Sequence, residues 1–147
     1  MYLVPFGVKK DTPIKCEHAT KALVCTMASI FGDEATFRML TEEADPLKCR
    51  ELCRGCQGFD QAVWDEKLKE VLWEVLWCKF GSDDDLESCL LLTGDAVIAY
   101  ASTDPKWGIG IPENDPRLQS PGEWLGENIQ GTTLAKVRQR LRRYSHI

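Results

Sequence analysis

Asp104 stands just before a Trp-Gly-x-Gly run at positions 107–110, and this spacing could form a ligand-binding loop. Glycines allow backbone conformations and close approaches that a Cβ would forbid. The flat face of Trp107 could stack on a ring of a ligand. Two simpler interpretations stay open: Trp107 and Trp124 fill the core, and Asp104 caps a turn, as Asp before Pro often does.

A second carboxylate, Glu17, precedes Lys21 by four residues. On a helix this spacing lets the two side chains meet. The alternative interpretation is an ordinary surface ion pair, which contributes little to stability. The sequence contains no phosphate loop, no dinucleotide-binding fingerprint and no Gly-x-Ser-x-Gly motif, so these common signatures give no other assignment.

Three cysteines, Cys49, Cys53 and Cys56, have a spacing that could suggest zinc. No second cysteine pair or histidine follows at the spacing of zinc ligands. Cys49 and Cys53 are also four residues apart, as small buried residues on a helix often are. We therefore expect no metal site.

Length and composition predict one domain spanning residues 1–147, with a net charge of −5. No apolar run approaches the roughly 20 residues that cross a bilayer, and the first residues do not resemble a signal peptide. Seven cysteines without a secretion signal indicate a reducing compartment, so we expect an intracellular protein, cytoplasmic or nuclear. A weak DNA or RNA contact could come from the basic side chains at the C-terminus, namely Lys136, Arg138, Arg140, Arg142 and Arg143.

The pattern of apolar residues predicts a mainly α-helical domain with a few short strands. Helices are predicted at 17–31, 33–43, 46–54, 61–80 and 83–92, and from 125 or 132 to 143. The helix at 61–80 is apolar on two faces, which is typical of a central helix. The apolar run at 97–101 is the best candidate for a strand.

Six motifs follow one another along the chain: Glu17-His18, Gly58-Phe59-x4-Trp64, Lys79-Phe80, Leu91-x-Thr93-Gly94, Asp104-x2-Trp107-Gly-x-Gly and Trp124-x-Gly126-x-Asn128-x2-Gly131. Each motif is weak alone, but the ordered set is specific. It resembles the YbiA-like NADAR family over residues 6–141.

The resemblance implies a small, mostly helical N-glycosidase without a cofactor. Such enzymes cleave the bond between ribose C1′ and a nitrogen, in ADP-ribosylated guanine for some members and in early riboflavin-pathway intermediates for others. The expected partner is an ADP-ribose-containing small molecule or an ADP-ribosylated nucleic acid. A catalytically weakened module that binds ADP-ribose or NAD is the alternative.

The resemblance also assigns site residues. Glu17 and Asp104 are the implied catalytic carboxylates, because the oxocarbenium-like charge that develops on the sugar needs a negative partner. We expect both to line one pocket with Trp64 and Trp107. The substrate contacts implied are Phe6, His18, Arg54, Trp64, Trp107, Gly108, Gly110 and Asn128.

The chain departs from the family at one position. The family usually carries a lysine seven residues after the glutamate, where this chain has Val24, or Met27 when aligned backward from Asp33. Either Lys21 takes the place of that lysine, with a possible Schiff base at C1′, or the function depends on carboxylates alone.

Overall fold

The computed structural model describes residues 2–3 and 14–144. Within this part of the chain there are two short strands and six α-helices: β1 (Tyr2–Leu3), β2 (Ile14–Lys15), α1 (Ala19–Ile30), α2 (Glu34–Glu42), α3 (Pro46–Cys53), α4 (Gln61–Gly81), α5 (Asp84–Leu92) and α6 (Ile129–Tyr144). Two 3₁₀ turns lie at Pro116–Gln119 and Pro121–Glu123. The predicted mainly helical fold is therefore confirmed.

Aspartates set the starts of three helices. Each accepts hydrogen bonds from backbone N–H groups of the first turn, which otherwise have no partner inside the helix. The caps are Asp33 for α2, Asp45 for α3 and Asp60 for α4. Pro46 follows its cap at the first helical position, where its missing N–H costs nothing.

The chain divides into two compact units, Met1–Asp84 and Asp85–Ile147. The single domain predicted for residues 1–147 stays a prediction. None of the helices in the described residues has the length and apolar character needed to cross a membrane.

In the first unit, α1 packs against α2, α3 and α4, and β1 pairs antiparallel with β2 and contacts α4. We predicted α4 as the central helix, but within this unit α1 is the helix that packs on each of the other three. The buried side chains of the shared core are Ile14, Cys16, Ala22, Cys25, Ala28, Phe37, Leu40, Cys49, Val71 and Val75.

In the second unit, the strand predicted at 97–101 is wrong: this segment has no strand partner and is irregular. Two of its backbone groups instead bond to one side chain, and the Tyr100 carbonyl accepts from the N–H groups of Ser102 and Ile109. Asn128 Oδ1 accepts from the Tyr100 N–H (3.0 Å), and Asn128 Nδ2 donates to the Ile98 carbonyl (2.8 Å). A side-chain amide thus satisfies groups that a neighbouring strand would otherwise satisfy.

Candidate active site

Glu17 and Lys21 form an ion pair at the start of α1. Lys21 Nζ lies 3.0 Å from Glu17 Oε2, and the side chain of Lys21 is 3% exposed against 47% for Glu17. The sequence spacing therefore predicted the contact correctly. It did not predict the burial of the lysine, and this burial distinguishes the pair from the ordinary surface ion pair that was the alternative interpretation.

The ion pair keeps Glu17 charged. The hydrogen bond from Lys21 lowers the pKa of the Glu17 carboxyl below its ordinary value. Because a charged hydrogen bond of this kind favours the ionised form, Glu17 carries a negative charge at neutral pH. Its half-exposed carboxylate can then face a developing positive charge.

Neither of the two positions that correspond to the family lysine offers a charge. Val24 is half-buried and packs against the core of the first unit, and Met27 is buried. Lys21, one turn earlier on the same helix, is a buried cation paired with Glu17.

His18 is the N-cap of α1. Its Nδ1 accepts a hydrogen bond from the Lys21 backbone N–H (3.0 Å), and its Nε2 lies 2.8 Å from the Ala44 carbonyl oxygen. Both ring nitrogens are therefore engaged within the protein. The substrate contact implied for His18 stays a prediction.

Three further predicted residues belong to the N-terminal part of the chain. Trp64, on the first turn of α4, is half-buried and packs against the core that also buries one face of α1. Arg54 is exposed at the C-cap of α3. Phe6 lies outside the described residues.

Asp104 holds a turn through its carboxylate. Its Oδ1 accepts from the backbone N–H groups of Lys106 (2.8 Å) and Trp107 (2.9 Å), and its carbonyl accepts from the Gly108 N–H (3.2 Å). The turn-capping interpretation is therefore correct for Oδ1. Both of these side-chain bonds go to Oδ1, and Oδ2 takes part in neither.

The two glycines after Trp107 are required by packing. A Cβ at Gly108 would lie 2.8 Å from the Tyr100 carbonyl oxygen, and one at Gly110 would lie 2.8 Å from the Gly126 nitrogen. Gly110 also has a φ of 79°, a conformation that L side chains rarely adopt. This accounts for the Trp-Gly-x-Gly spacing without a ligand, and the predicted substrate contacts at both glycines stay predictions.

The two tryptophans of this region differ in their contacts. Trp124 donates from Nε1 to the Arg117 and Leu118 carbonyls, both at 3.2 Å, so its ring is tied to the 3₁₀ turn at Pro116–Gln119. Trp107 is half-buried, and its carbonyl accepts from the Gln130 N–H (3.0 Å) at the start of α6. These bonds favour a structural role for Trp124, in line with the interpretation that it fills the core.

Asn128 joins the segment before the turn to the turn itself. It is 5% exposed, has a φ of 52°, and its backbone N–H donates to the Gly108 carbonyl (2.9 Å) while its amide bonds to the segment around Ile98. Positive φ is uncommon outside glycine but tolerated by Asn. The structure thus gives Asn128 a positioning role, and its predicted substrate contact stays untested.

The basic residues near the C-terminus make contacts within the protein: Arg140 lies 6.0 Å from the ring centroid of Tyr144, and two others form hydrogen bonds. Arg138, only 7% exposed, donates to Thr93 Oγ1 (2.8 Å) and to the Ala96 carbonyl (2.9 Å). Arg142 pairs with Asp95 (2.9 Å) and donates to the Gly94 carbonyl. These two guanidinium groups hold the segment after α5, and the predicted nucleic-acid contact stays a prediction. An open groove of about 330 Å³ beside them is lined by Asp95, Ala135, Lys136, Arg138, Gln139 and Arg142.

The three cysteines weighed as zinc ligands bond to separate backbone carbonyls. Cys49 donates to Glu43, Cys53 to Arg50 and Cys56 to Gln57, and desolvation raises the pKa of all three thiols. Among the described residues, no group of three or more His, Cys, Asp or Glu side chains is arranged to hold a metal ion. All seven cysteines of the chain lie in the described part and are free thiols.

Asp33 links two segments of the first unit, and the sequence did not predict this role. Besides capping α2 through Thr36, its Oδ2 accepts from the Gln57 N–H (2.8 Å), 24 residues away. These bonds lower the pKa of the Asp33 carboxyl, with the Gln57 bond as the largest cause. The cap was visible as an Asp before a helix, but no local signal indicated the second bond.

The described residues that were predicted for the site belong to two groups, one in each unit of the chain. Glu17, His18, Lys21, Arg54 and Trp64 belong to the first unit, and Asp104, Trp107, Gly108, Gly110 and Asn128 belong to the second. The expectation that they line one pocket stays a prediction. In the first group Glu17, His18 and Lys21 lie together at the start of α1. In the second group Asn128 bonds to the turn that contains Asp104, Trp107, Gly108 and Gly110.

A model of the NADAR domain matches residues 2–142, nearly the whole chain. The chain belongs to the NADAR family. The match spans the residues of both units, and it confirms the family to which the ordered motifs pointed.

Two curated relatives are similar along most of this NADAR protein. N-glycosidase R617 of Acanthamoeba polyphaga mimivirus is 30% identical over 122 residues, which cover 82% of this chain and 72% of the relative. Protein irg-1 of Caenorhabditis elegans is 27% identical over 136 residues, which cover 90% of this chain and 64% of that protein. The chain therefore spans less than two thirds of irg-1.

One solved structure shares the fold. The NMR structure of the Escherichia coli protein YbiA aligns with a TM-score of 0.73 and 19% identity, covering 97% of this chain and 75% of that one. At this identity the likeness shows the fold alone. The YbiA-like fold expected from the sequence is confirmed.

Proposed function

We propose that this NADAR protein is an N-glycosidase that hydrolyses the bond between ribose C1′ and a nitrogen in ADP-ribosylated substrates, with ADP-ribosyl-guanine in a nucleic acid or a nucleotide as the substrate. Membership in the family and the viral relative named as an N-glycosidase support the reaction class. The observation that carries the proposal is the ion pair between buried Lys21 and half-exposed Glu17.

Glu17 acts on the charge of the transition state. As the C1′–N bond breaks, its electron pair leaves with the nitrogen and positive charge develops on the sugar. A fixed carboxylate stabilises that charge more than it stabilises the neutral ground state, and this difference lowers the barrier. Water then attacks C1′, and the proton that it loses ends on the departing nitrogen, which gives the free base and the ribose hydroxyl. Asp104 is the residue we propose for orienting this water or assisting the departing base, through Oδ2.

Lys21 holds Glu17 in place. The lysine side chain is only 3% exposed, and its ammonium lies 3.0 Å from the carboxylate. A Schiff base at C1′ would require the amine to be neutral and to separate from Glu17. The buried pair therefore favours an electrostatic role for Lys21 over a nucleophilic one.

Borohydride trapping distinguishes these two roles. The protein is incubated with the ADP-ribosylated substrate and borohydride, and peptides are mapped by mass spectrometry. We expect turnover without an adduct on Lys21. An adduct on that residue would replace the electrostatic role with the Schiff-base route, and it would leave the N-glycosidase assignment standing.

A panel of substrates tests the reaction itself. Release of the free base from ADP-ribosylated guanine, followed by chromatography, is the expected result, with ADP-ribosyl-guanine preferred over early riboflavin-pathway intermediates. If the intermediates are cleaved instead, the reaction class holds and the substrate is wrong. If ADP-ribose binds in calorimetry and no substrate turns over, the protein is a binding module.

Contact with a nucleic-acid substrate would depend on the basic side chains of α6 that do not bond to the segment after α5. With Arg138 and Arg142 bonded around Thr93 and Asp95, we assign the weak contact to Lys136 and Arg143, which are exposed on α6. Replacing both by Gln should lower the affinity for ADP-ribosylated DNA and reduce its salt dependence, while leaving cleavage of the free nucleotide unchanged. Equal salt slopes in both proteins would exclude this surface.

A further inference from the structure

His18 connects the ion pair to the rest of the first unit. Its Nδ1 accepts from the backbone N–H of Lys21, and its Nε2 lies 2.8 Å from the carbonyl oxygen of Ala44, which precedes α3. Glu17 is its direct neighbour in the chain. One imidazole therefore contacts the first turn of α1 and a segment 26 residues away.

These two bonds fix the tautomer of the ring. A backbone N–H only donates and a carbonyl oxygen only accepts. Nδ1 must therefore carry a lone pair, and Nε2 must carry the proton. His18 is held as the neutral imidazole with its proton on Nε2, and neither nitrogen remains available to a ligand.

Histidine is an unusual residue at this position. Ser, Thr, Asp and Asn are the residues preferred at N-caps. A shorter cap would satisfy the Lys21 N–H but would not reach Ala44. An aspartate would also place a second carboxylate beside Glu17, where it could compete for the ammonium of Lys21. A neutral imidazole makes both bonds without adding a negative charge.

We propose that His18 is a positioning residue for the Glu17–Lys21 pair: it fixes the first turn of α1 against the segment before α3, so that the lysine ammonium stays on the Glu17 carboxylate. The inference depends on the proposed function for its kinetic consequence. The substrate contact that the family resemblance implied for His18 is the competing role, and the KM of the variants below distinguishes the two.

Four substitutions separate the two bonds. His18→Asn keeps an acceptor for the Lys21 N–H and loses the bond to Ala44, whereas His18→Gln can reach Ala44 and loses the cap. His18→Ala loses both. His18→Asp has the shape of the Asn variant and adds a negative charge.

We expect His18→Ala to lower kcat about 10-fold while KM changes less than about 3-fold, because the residue acts on Glu17 and not on the bound substrate. The Asn variant should recover kcat to within about 3-fold of the wild type, and the Gln variant should not. The Asp variant should fall below the Asn variant. If the Ala variant is unfolded, the comparison of Asn with Asp carries the test, since both residues cap helices well.

Three kinetic results would overturn the proposal. Wild-type kcat in His18→Ala would show that the ring does not matter. A raised KM with unchanged kcat would indicate a substrate contact. Equal kcat in the Asn and Asp variants would show that charge beside Glu17 has no effect.

Nitrogen NMR of the imidazole tests the same arrangement without any turnover, so its outcome is independent of the proposed reaction. We expect one fixed tautomer protonated at Nε2, and a Lys21 ammonium signal that is protected from exchange in the wild type and in His18→Asn but is lost in His18→Ala. An averaged pair of tautomers, or an unchanged ammonium signal in His18→Ala, would contradict the positioning role even if the enzyme is active. A fixed tautomer in a protein without turnover would instead contradict only the proposed function.

Discussion

The two carboxylates of the candidate site are held in different ways. Glu17 is held by the side-chain charge of Lys21, at 3.0 Å, and its own carboxylate is half-exposed. Asp104 is held by two backbone N–H groups that both bond to Oδ1. The first arrangement needs a negative charge, because its partner is a cation. The second needs only an acceptor oxygen, which an amide also supplies.

This difference shows which substitutions are informative at each site. An Asp-to-Asn change leaves the turn at Asp104 intact, so activity then reports on charge alone. A Glu-to-Gln change at Glu17 removes the charge and the ion pair together. Variants at the two carboxylates and at the residues that hold them therefore test the contrast between a charged partner and a backbone partner.

Glu17→Gln should give the largest effect. We expect turnover of ADP-ribosylated guanine to fall about 100-fold or more, because the carboxylate acts mainly in the transition state. Calorimetry should show ADP-ribose binding within about 3-fold of the wild type. Glu66→Gln, an exposed position on α4, is the matched control. Equal turnover in both variants would remove Glu17 from the proposed mechanism.

Lys21→Met should shift the pH dependence. Lys21 lowers the pKa of the Glu17 carboxyl, so in the wild type Glu17 stays ionised as the pH falls through the ordinary range of a glutamate. Without the ammonium that pKa rises, and the acid limb of the kcat/KM profile should move to higher pH. At neutral pH Glu17 stays ionised, and we expect a separate loss of roughly 10-fold because the carboxylate is no longer held in place. The Arg variant keeps the positive charge and should retain the wild-type limb. An acid limb that does not move in the Met variant would contradict the role of the pair.

Asn128→Ala should destabilise the second unit, Asp85–Ile147. The change removes the two amide bonds to the Ile98–Tyr100 backbone and leaves a non-glycine residue at a φ of 52°. We expect a loss of about 2 kcal/mol in the free energy of unfolding, measured in urea. Asn114→Ala, at an exposed position of the same unit, should change it by less than about 0.5 kcal/mol. Similar losses in both variants would mean that the Asn128 bonds do not organise this region.

Asp104→Asn should have the smallest effect on stability. The amide oxygen can accept the same two N–H bonds, so the unfolding free energy should stay within about 0.5 kcal/mol of the wild type, whereas Asp104→Ala should lose about 1 kcal/mol. Turnover of the Asn variant then measures the need for negative charge at this turn. Wild-type turnover would leave Asp104 with the structural role alone.

The fold was predictable where local patterns determine structure. Apolar periodicity located the helices, and an aspartate before α4 marked its start. The strand predicted from the apolar run at 97–101 was wrong, because a strand requires a neighbouring strand. Backbone groups of this segment bond to the side chain of Asn128 instead. Patterns within each helix were therefore enough to predict the helices. The conformation of residues 97–101 depends on Asn128, which lies about 30 residues further along the chain.

The same division holds within the candidate site. The spacing of Glu17 and Lys21 was enough to predict their contact, because a helix places residues four apart on one face, and the ordered motifs were enough to indicate the family. Three features depend on the packing of distant segments: the burial of Lys21, the contact of His18 with Ala44, and the bonds of Arg138 and Arg142 to the segment after α5. Burial and long-range bonds depend on which distant segments pack together, and no spacing along one helix contains that information.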